Sequence, residues 1–393
     1  MSKFDTIRDI DLKGKRVLMR VDFNVPLDGE KVTDDTRIRA ALPTIEAVLK
    51  EGASVILMSH LGRPKGKKDP KYSLKPVAAR LAEVLAKEVI MAPDCIGEET
   101  EKLAKELKPG QVLLLENVRF YAEETDNDPE FAKKLAALGD IYVNDAFGSA
   151  HRAHASTTGV AAYLPSVAGL LMEKELKELG TLLEDAEAPF VVLLGGAKVS
   201  DKIGVMENLI GKADYILVGG GMAFPFLKVH GMEIGKSLCD GDLEIPKRIE
   251  AKAAETKTKI VLPVDVVAAE EFAENAPSVV ADVEAIPADK MGLDVGPKTV
   301  AKFQEIIAQA KTIFWNGPMG VFEKKPFDKG TREVAEAVAH SQARSVVGGG
   351  DSVAALTQAG LASQVTHVST GGGASLEFVE GRQLPGVVAL TKK

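Results

Sequence analysis

The stretch SVVGGGDSVAAL, residues 345–356, joins an apolar, β-branched run to a helix-like segment through three consecutive glycines. Strand, glycine turn and helix N-terminus together make a phosphate-binding loop. Glycine lets backbone amides come close to an anion, and the helix dipole favours negative charge there. Two features set this loop apart from the G-x-x-x-x-G-K-[ST] pattern. The lysine is absent, and Asp351 puts a negative charge where a polyanion would sit. The positive charge must therefore come from elsewhere in the chain. Asp351 then acts either on a bridging cation or as a helix N-cap, two roles that are compatible.

The same alternation of short apolar runs and longer helical patterns fills the chain. Runs at 16–24, 53–61, 89–93, 111–117 and 141–147 are followed by 190–197, 215–221, 259–267, 312–318, 345–350 and 366–373. Their hydrophobicity is continuous rather than alternating, as in parallel strands buried on both faces. Repeated βα units in both halves predict an α/β protein of two doubly wound parallel-sheet, Rossmann-like domains. LMEKELKELGTLLEDAEAP (171–189) reads as one charged amphipathic helix ending before Pro189. The expected division is therefore a first domain over 1–170, a helix and hinge over 171–188, a second domain over 189–380, and a tail over 381–393.

Composition narrows the class of partner. With 393 residues, 27% charged and 45% hydrophobic, the chain fits a soluble globular protein of more than one domain. No apolar run nears the roughly 18 residues of a membrane span, and the N-terminal residues lack the apolar core of an export signal. Cys95 and Cys239 have no metal-type spacing and suit a reducing, cytoplasmic setting. A net charge of −8 argues against nucleic acid or an anionic membrane as partner. The arginines are uneven, nine in residues 1–172 and four in the remainder. Arginine grips phosphate and carboxylate bidentately, so the first half is the expected holder of a small anion.

Ligands of open α/β sheets bind beyond the C-terminal strand ends. In the first half those positions hold Asp22 and Asn24, His60 and Arg63, Arg119, then Asp145, His151 and Arg152, with Arg37 at the start of a helix. In the second half they are glycine turns: Gly195-Gly196, Gly219-Gly220-Gly221, Gly317, Gly348-Gly349-Gly350 and Gly371-Gly372-Gly373. One half presents guanidinium groups and the other bare amides, which points to an anionic nucleotide on the second. GGAKVSDKIG (195–204) supplies the missing cations, Lys198 just before a helix and Lys202 in its first turn. Lysine is a mobile point charge suited to a phosphoryl group in transfer.

The motifs RVDFNVP (20–26), SHLGRPKG (59–66), LLENVRF (114–120), NDAFGSAHRAHAS (144–156), GGAKVSDKI (195–203), WNGPMGVFE (315–323), GGGDS (348–352) and STGGGASLE (369–377) run in order over the chain and resemble the phosphoglycerate kinase family. The resemblance implies reversible phosphoryl transfer between 1,3-bisphosphoglycerate plus ADP and 3-phosphoglycerate plus ATP, with Mg²⁺, in glycolysis, by a monomer whose domains close about a hinge. It implies that Asp22, Asn24 and Arg37 hold the hydroxyl and carboxylate end of the phosphoglycerate. His60, Arg63, Arg119 and Arg152 would surround its phosphate. Lys198 and Lys202 would meet the nucleotide phosphates, Asp351 the metal and Glu323 the ribose. Gly219, Gly220, Gly292, Asn316 and Pro318 would lie around base and sugar. Gly196, Gly349, Gly350, Ser352 and Gly373 belong to the turns that face the phosphates, and Arg37, Lys198, Gly350 and Gly373 would attend the transferring group. The last residues would pack on the first domain. Ser352 stands where the family usually has threonine, and Met319 where smaller residues are common, with an effect expected on base packing only. His154 is expected to be structural.

The acceptor in the ATP-consuming direction is a carboxylate, ionised at neutral pH, so no catalytic base is needed. Two other classes of protein would present comparable strand-end turns. A nicotinamide-dependent dehydrogenase would need G-x-G-x-x-G with an acidic residue about 20 positions on, which the turns do not match. A non-catalytic anion-clamping protein would lack the paired lysines and Asp351.

Overall fold

Each of the apolar runs carries a strand in the computed structural model, which describes residues 4–239 and 241–391. The chain divides into two compact units. The first takes residues up to Lys177 together with those from Gln383 on, and the second takes Glu178–Arg382.

Apart from a short antiparallel pair at Leu27–Asp28 and Lys31–Val32, the strands of the first unit form one sheet of β1 (Arg16–Arg20), β2 (Ser54–Met58), β3 (Val89–Met91), β4 (Val112–Leu114), β5 (Ile141–Asn144) and β6 (Ser166–Ala168). All pair in parallel in the order β3-β4-β2-β1-β5-β6. The chain leaves β1 towards β2 on one side and returns on the other side at β5. The switch point, where α/β sheets bind ligands, therefore lies beyond the ends of β1 and β5. Helix α1 (Thr36–Lys50) follows β1, and Asp34 Oδ1 accepts from the Thr36 N–H at 2.9 Å, seating Arg37 in the first turn. Val17, Met19, Val55, Leu57 and Val143 are wholly out of solvent, as sheet faces covered on both sides require. Strand β6 went unforeseen because three residues after Pro165 carry no periodic signal. The C-terminal stretch is packed here too: the Gly386 N–H donates to the Ala150 carbonyl at 2.8 Å, and Leu384 and Leu390 are buried.

The second unit repeats the plan with β7 (Phe190–Leu194), β8 (Tyr215–Val218) and β9 (Lys259–Val261). A separate antiparallel sheet of β10 (Asp265–Ala269), β11 (Ser278–Asp282) and β12 (Met291–Val295) follows. The main sheet resumes with β13 (Thr312–Asn316), β14 (Arg344–Gly348) and β15 (His367–Val368), in the parallel order β9-β8-β7-β13-β14-β15. Its switch point lies between β7 and β13. The run 259–267, read as one strand, is two strands in two sheets. Leu262-Pro263 separates them because proline has no N–H for the ladder and fixes its φ.

Helix α2 spans Leu170–Glu184, not the whole of 171–188. It ends at Glu184, and residues 185–188 lead to Pro189 outside the helix. Asp145 is buried behind its start, and its Oδ1 accepts from the Leu171 and Met172 N–H groups at 2.9 and 3.2 Å. It is thus a cap and not a solvent-facing ligand, and burial pushes its carboxyl up to about 7. No described helix is long and apolar enough to cross a membrane, and both cysteines are free thiols.

Candidate active site

Beyond the first unit's strand ends, four sequence-selected residues, Asp22, Asn24, Arg37 and Arg119, are tied into one frame with Gly62. One Arg37 guanidinium nitrogen donates to Asp22 Oδ1 and to the Asn24 carbonyl, both at 3.1 Å. Asn24 Oδ1 accepts from the Gly62 N–H at 2.9 Å, and Arg119 donates to the Gly62 carbonyl at 3.1 Å. A side chain on Gly62 would strike the Tyr72 ring, its Cβ lying 2.4 Å from a ring carbon. The glycine of HLGRP is therefore required for packing between the two arms of the site.

The charge balance of this frame is positive. Arg119 is brought down to about 10, first by burial and then by Arg20, with Arg152 adding to the repulsion. Burial also holds His60 well below its ordinary range, with Arg20, Arg119 and Arg37 adding repulsion, so its ring is neutral at physiological pH. Arg63 and Arg152 are exposed, and neither makes a side-chain hydrogen bond or ion pair among the described residues. Such an excess of cationic donors around a partly desolvated surface is what a small polyanion fits. His154 lies apart from this role. It is buried, is lowered to about 4 chiefly by desolvation, and has Nδ1 4.0 Å from Glu124 Oε1.

Arg20 is the residue that sequence reasoning missed. It ends β1 fully buried and donates to Ser156 Oγ at 2.7 Å, to the Val21 carbonyl, and to His60 Nδ1 at 3.1 Å. A charge inside the apolar run RVLMRVDF was the available signal, since an unexposed arginine needs dedicated partners.

In the second unit the glycine turns fall into two kinds. Those at 195–196, 219–220 and 317–319 lock onto one another. Gly195 donates to the Asn316 carbonyl, Gly196 to Pro318, Gly220 to Met319 and Met222 to Gly196, all at 2.9–3.1 Å. A Cβ on Gly195 would lie 2.0 Å from the Pro318 oxygen, and one on Gly317 2.1 Å from the Gly195 oxygen. These glycines answer to backbone crossing backbone. By contrast, Gly350 and Gly372 have no other group within 4 Å of where a Cβ would stand, and Gly196 combines the two, its backbone in the lock and its Cβ position open. Helix α3 (Ile203–Leu209) follows Lys202, Gly350 opens helix α4 (Gly350–Gln358) and Gly373 opens α5 (Gly373–Val379), both glycines exposed. Gly349 caps α4 with φ +87°, and a Cβ there would stand 3.0 Å from the Asn316 side-chain nitrogen.

The cations stand around this surface. Lys202 donates to Asn316 Oδ1, and burial lowers its pKa, partly offset by Asp201, Asp351 and Glu380. Asn316 Nδ2 is buried with no partner, a donor left for a ligand. Lys198 is exposed and makes no ion pair among the described residues. Asp351 occupies the first turn of α4 without capping it and is likewise exposed and unpaired. The helix-cap reading of Asp351 therefore falls. Among the described residues no cluster of three or more acidic, histidine or cysteine groups could cage a metal. A single carboxylate beside a phosphate surface suits Mg²⁺, which keeps water and phosphate oxygens as its other ligands.

Other positions differ from the expectation in detail. Ser352 is buried and its Oγ accepts from the Gly317 N–H, so its hydroxyl braces the neighbouring turn. Met319 and Gly219 are buried together, the sulfur 2.5 Å from where a Gly219 Cβ would be, and Pro318 is buried beside them. Met319 therefore fills the floor behind the turns. Gly292 lies on β12 with the Phe224 ring against it and donates to Ser237 Oγ at 2.9 Å. Glu323 is exposed beyond β13, with no hydrogen bond to the glycine turns.

The model for the family described as phosphoglycerate kinase matches residues 7–382. A phosphoglycerate kinase of Koribacter versatilis is 60% identical over 404 residues, covering 100% of both chains. Among solved structures, phosphoglycerate kinase from Coxiella burnetii superposes with a TM-score of 0.90 at 46% identity, over 98% of each chain. The Pyrococcus horikoshii enzyme gives 0.85 at 37%, again over 98% of each. These matches remove both the dehydrogenase and the non-catalytic rival. Two doubly wound units, one with arginines and one with open glycine amides at the strand ends, together with full-length identity of this order, place the chain in the phosphoglycerate kinase family.

Proposed function

We propose that the family's reaction, phosphoryl transfer between 1,3-bisphosphoglycerate and ADP to give 3-phosphoglycerate and ATP, is divided in this chain between the two strand-end surfaces. The first unit takes the phosphoglycerate. Asp22, Asn24 and Arg37 hold its hydroxyl and carboxylate, while His60, Arg63, Arg119 and Arg152 hold its phosphate. The second unit takes the nucleotide: Lys198, Lys202 and Asn316 at the phosphates, the Gly349, Gly350 and Gly373 amides around them with the uncrowded Gly196 turn alongside, and Glu323 on the ribose. Gly219, Gly220, Gly292 and Pro318 form the wall behind base and sugar. Ser352 keeps the 317 turn in place.

The chemistry needs positioning and charge neutralisation only, because the accepting carboxylate is already ionised. Arg37 approaches from the acceptor side and Lys198 from the donor side to offset charge on the transferring group. Asp351 would hold Mg²⁺, which supplies neutralisation of the nucleotide phosphates. Since each substrate has its own unit, turnover requires the two surfaces to meet, with bending at α2 and its flanks. One chain carries both substrate surfaces, so a monomer suffices, and the free thiols of Cys95 and Cys239 fit a reducing cytoplasm.

The observation that carries this reading is the split between unpaired guanidinium groups on one unit and open glycine amides with lysines on the other. Calorimetric titration tests it. Arg63→Ala and Arg152→Ala should weaken 3-phosphoglycerate binding at least tenfold, about one charged hydrogen bond each, and leave MgADP affinity unchanged. Loss of nucleotide affinity with phosphoglycerate affinity intact would overturn the assignment. Small-angle scattering should show compaction when both substrates are bound, and an unchanged radius of gyration would refute closure.

A further inference from the structure

We propose that Arg20 is a positioning residue which holds His60 as the neutral Nε2–H tautomer, and that Glu124, acting through Ser156, holds Arg20. The proposal rests on the reading of His60 as a phosphoglycerate ligand and goes one layer beneath it. The contact between Arg20 and His60 Nδ1 measures 3.1 Å, with both groups buried. A guanidinium has only donors and keeps its proton in proteins, so the hydrogen of that contact belongs to Arg20. Nδ1 must offer its lone pair. A neutral imidazole then carries its single proton on Nε2, and that nitrogen is the ring's one donor for an anion.

The guanidinium cannot easily turn away. Its Nε–H is directed at Ser156 Oγ at 2.7 Å and another N–H at the Val21 carbonyl. Ser156 Oγ in turn donates to Glu124 Oε1 at 2.6 Å, and the Ser156 N–H donates to Oε2 at 3.0 Å. The serine hydroxyl thus has its hydrogen aimed at Glu124 and its lone pair at Arg20. Arg20 and Glu124 are both wholly unexposed. The two charged side chains meet through the serine hydroxyl and not directly, and buried charged groups held in this way are a poor source of stability whose best-attested use is to enforce one arrangement. Here the arrangement enforced is a forked donor with three fixed directions, which a lysine ammonium on a flexible stem cannot reproduce. The other charged or titratable groups that act on His60 are Arg119 and Arg37, which only donate, and His154, which is not recorded in a hydrogen bond with His60 among the described residues.

Long-range ¹H–¹⁵N correlation of His60 in the ligand-free wild-type enzyme is the first test. The expected pattern is a protonated Nε2 and a bare Nδ1, unchanged from about pH 6 to 8. An Nδ1–H or imidazolium pattern overturns the proposal. In Arg20→Lys the spectrum should move towards mixed tautomers, and KM for 3-phosphoglycerate should rise about tenfold, the worth of one neutral hydrogen bond, with kcat and nucleotide KM within about twofold. Because Arg20 acts through His60, that rise should vanish in a His60→Ala background, and additive effects would overturn the proposal. Ser156→Ala, which keeps the charge and frees the fork, should move spectrum and KM in the same direction should Arg20→Lys not fold. If His60→Ala alone left KM unchanged, His60 would not be a substrate ligand, while the spectrum would still decide the tautomer.

Discussion

Replacing Gly350 by alanine separates two explanations of the glycine turn that most substitutions confound. Gly350 is exposed at the first position of α4, outside the left-handed region, and an added Cβ meets nothing within 4 Å. The fold therefore loses no contact. Alanine also restricts the unfolded chain and favours helix, together worth about 0.4–1 kcal/mol. For a unit of this size that raises Tm by roughly 1–4 °C. The same methyl group stands where a phosphoryl oxygen would need to come within about 2.9 Å of the amides. Loss of one such donor in a transition state costs about 3–4 kcal/mol, or 10²–10³ in kcat. Stability and activity should thus move in opposite directions, which no account based on unfolding can produce. Scanning calorimetry and steady-state kinetics on the purified variant check both. A raised Tm with kcat within about twofold of wild type would show that Gly350 is a turn residue and would sink the phosphate-loop argument. Gly195→Ala is the contrasting case: its Cβ would lie 2.0 Å from the Pro318 oxygen, so loss of stability comes first.

Lys198→Ala should leave unfolding within about 0.5 kcal/mol, since the side chain is exposed and unpaired, yet lower kcat by 10² or more with nucleotide affinity largely kept. A kcat within a factor of two would remove Lys198 from the reaction. Asp294 concerns stability alone. Burial pushes its carboxyl up to about 8, so the folded state keeps a proton the unfolded state releases near 4. That contribution is present below about pH 4 and is lost as pH rises to about 8, by up to about 1.4 kcal/mol per pH unit. Asp294→Asn should flatten the fall in the second unit's unfolding midpoint over that window, and a slope equal to that of wild type would refute the assignment.

What could be read from the chain was the part governed by composition over many residues. Both main sheets were legible because strands buried on two faces write continuous apolar runs. The antiparallel sheet was not, since SVVAD (278–282) is largely solvent-exposed and MGLDV (291–295) carries little apolar signal. The glycine turns mark a subtler limit. In sequence Gly195, Gly317, Gly350 and Gly372 look alike, each ending a strand before a helix. In three dimensions the first two leave room for a neighbouring backbone and the last two leave room for something outside the protein. The difference lies in what the missing Cβ would touch, which is a long-range property invisible to a local pattern.

Arg20 shows the converse. Its position inside an apolar strand contradicts the local rule, and such contradictions concentrate where function overrides propensity. The arginines chosen from the sequence were those at strand ends, where substrates are met. The one that the sequence hides lies beneath them and touches His60 instead of solvent. Charge counting finds the ligands of an anion, because excess positive charge is additive and readable from composition. Orientation is not additive: it needs a donor of known fork geometry, an acceptor at 3.1 Å, and a buried carboxylate that keeps the fork from turning. A site assigned from sequence alone therefore names the groups that attract the substrate before it names those that decide which proton each group presents.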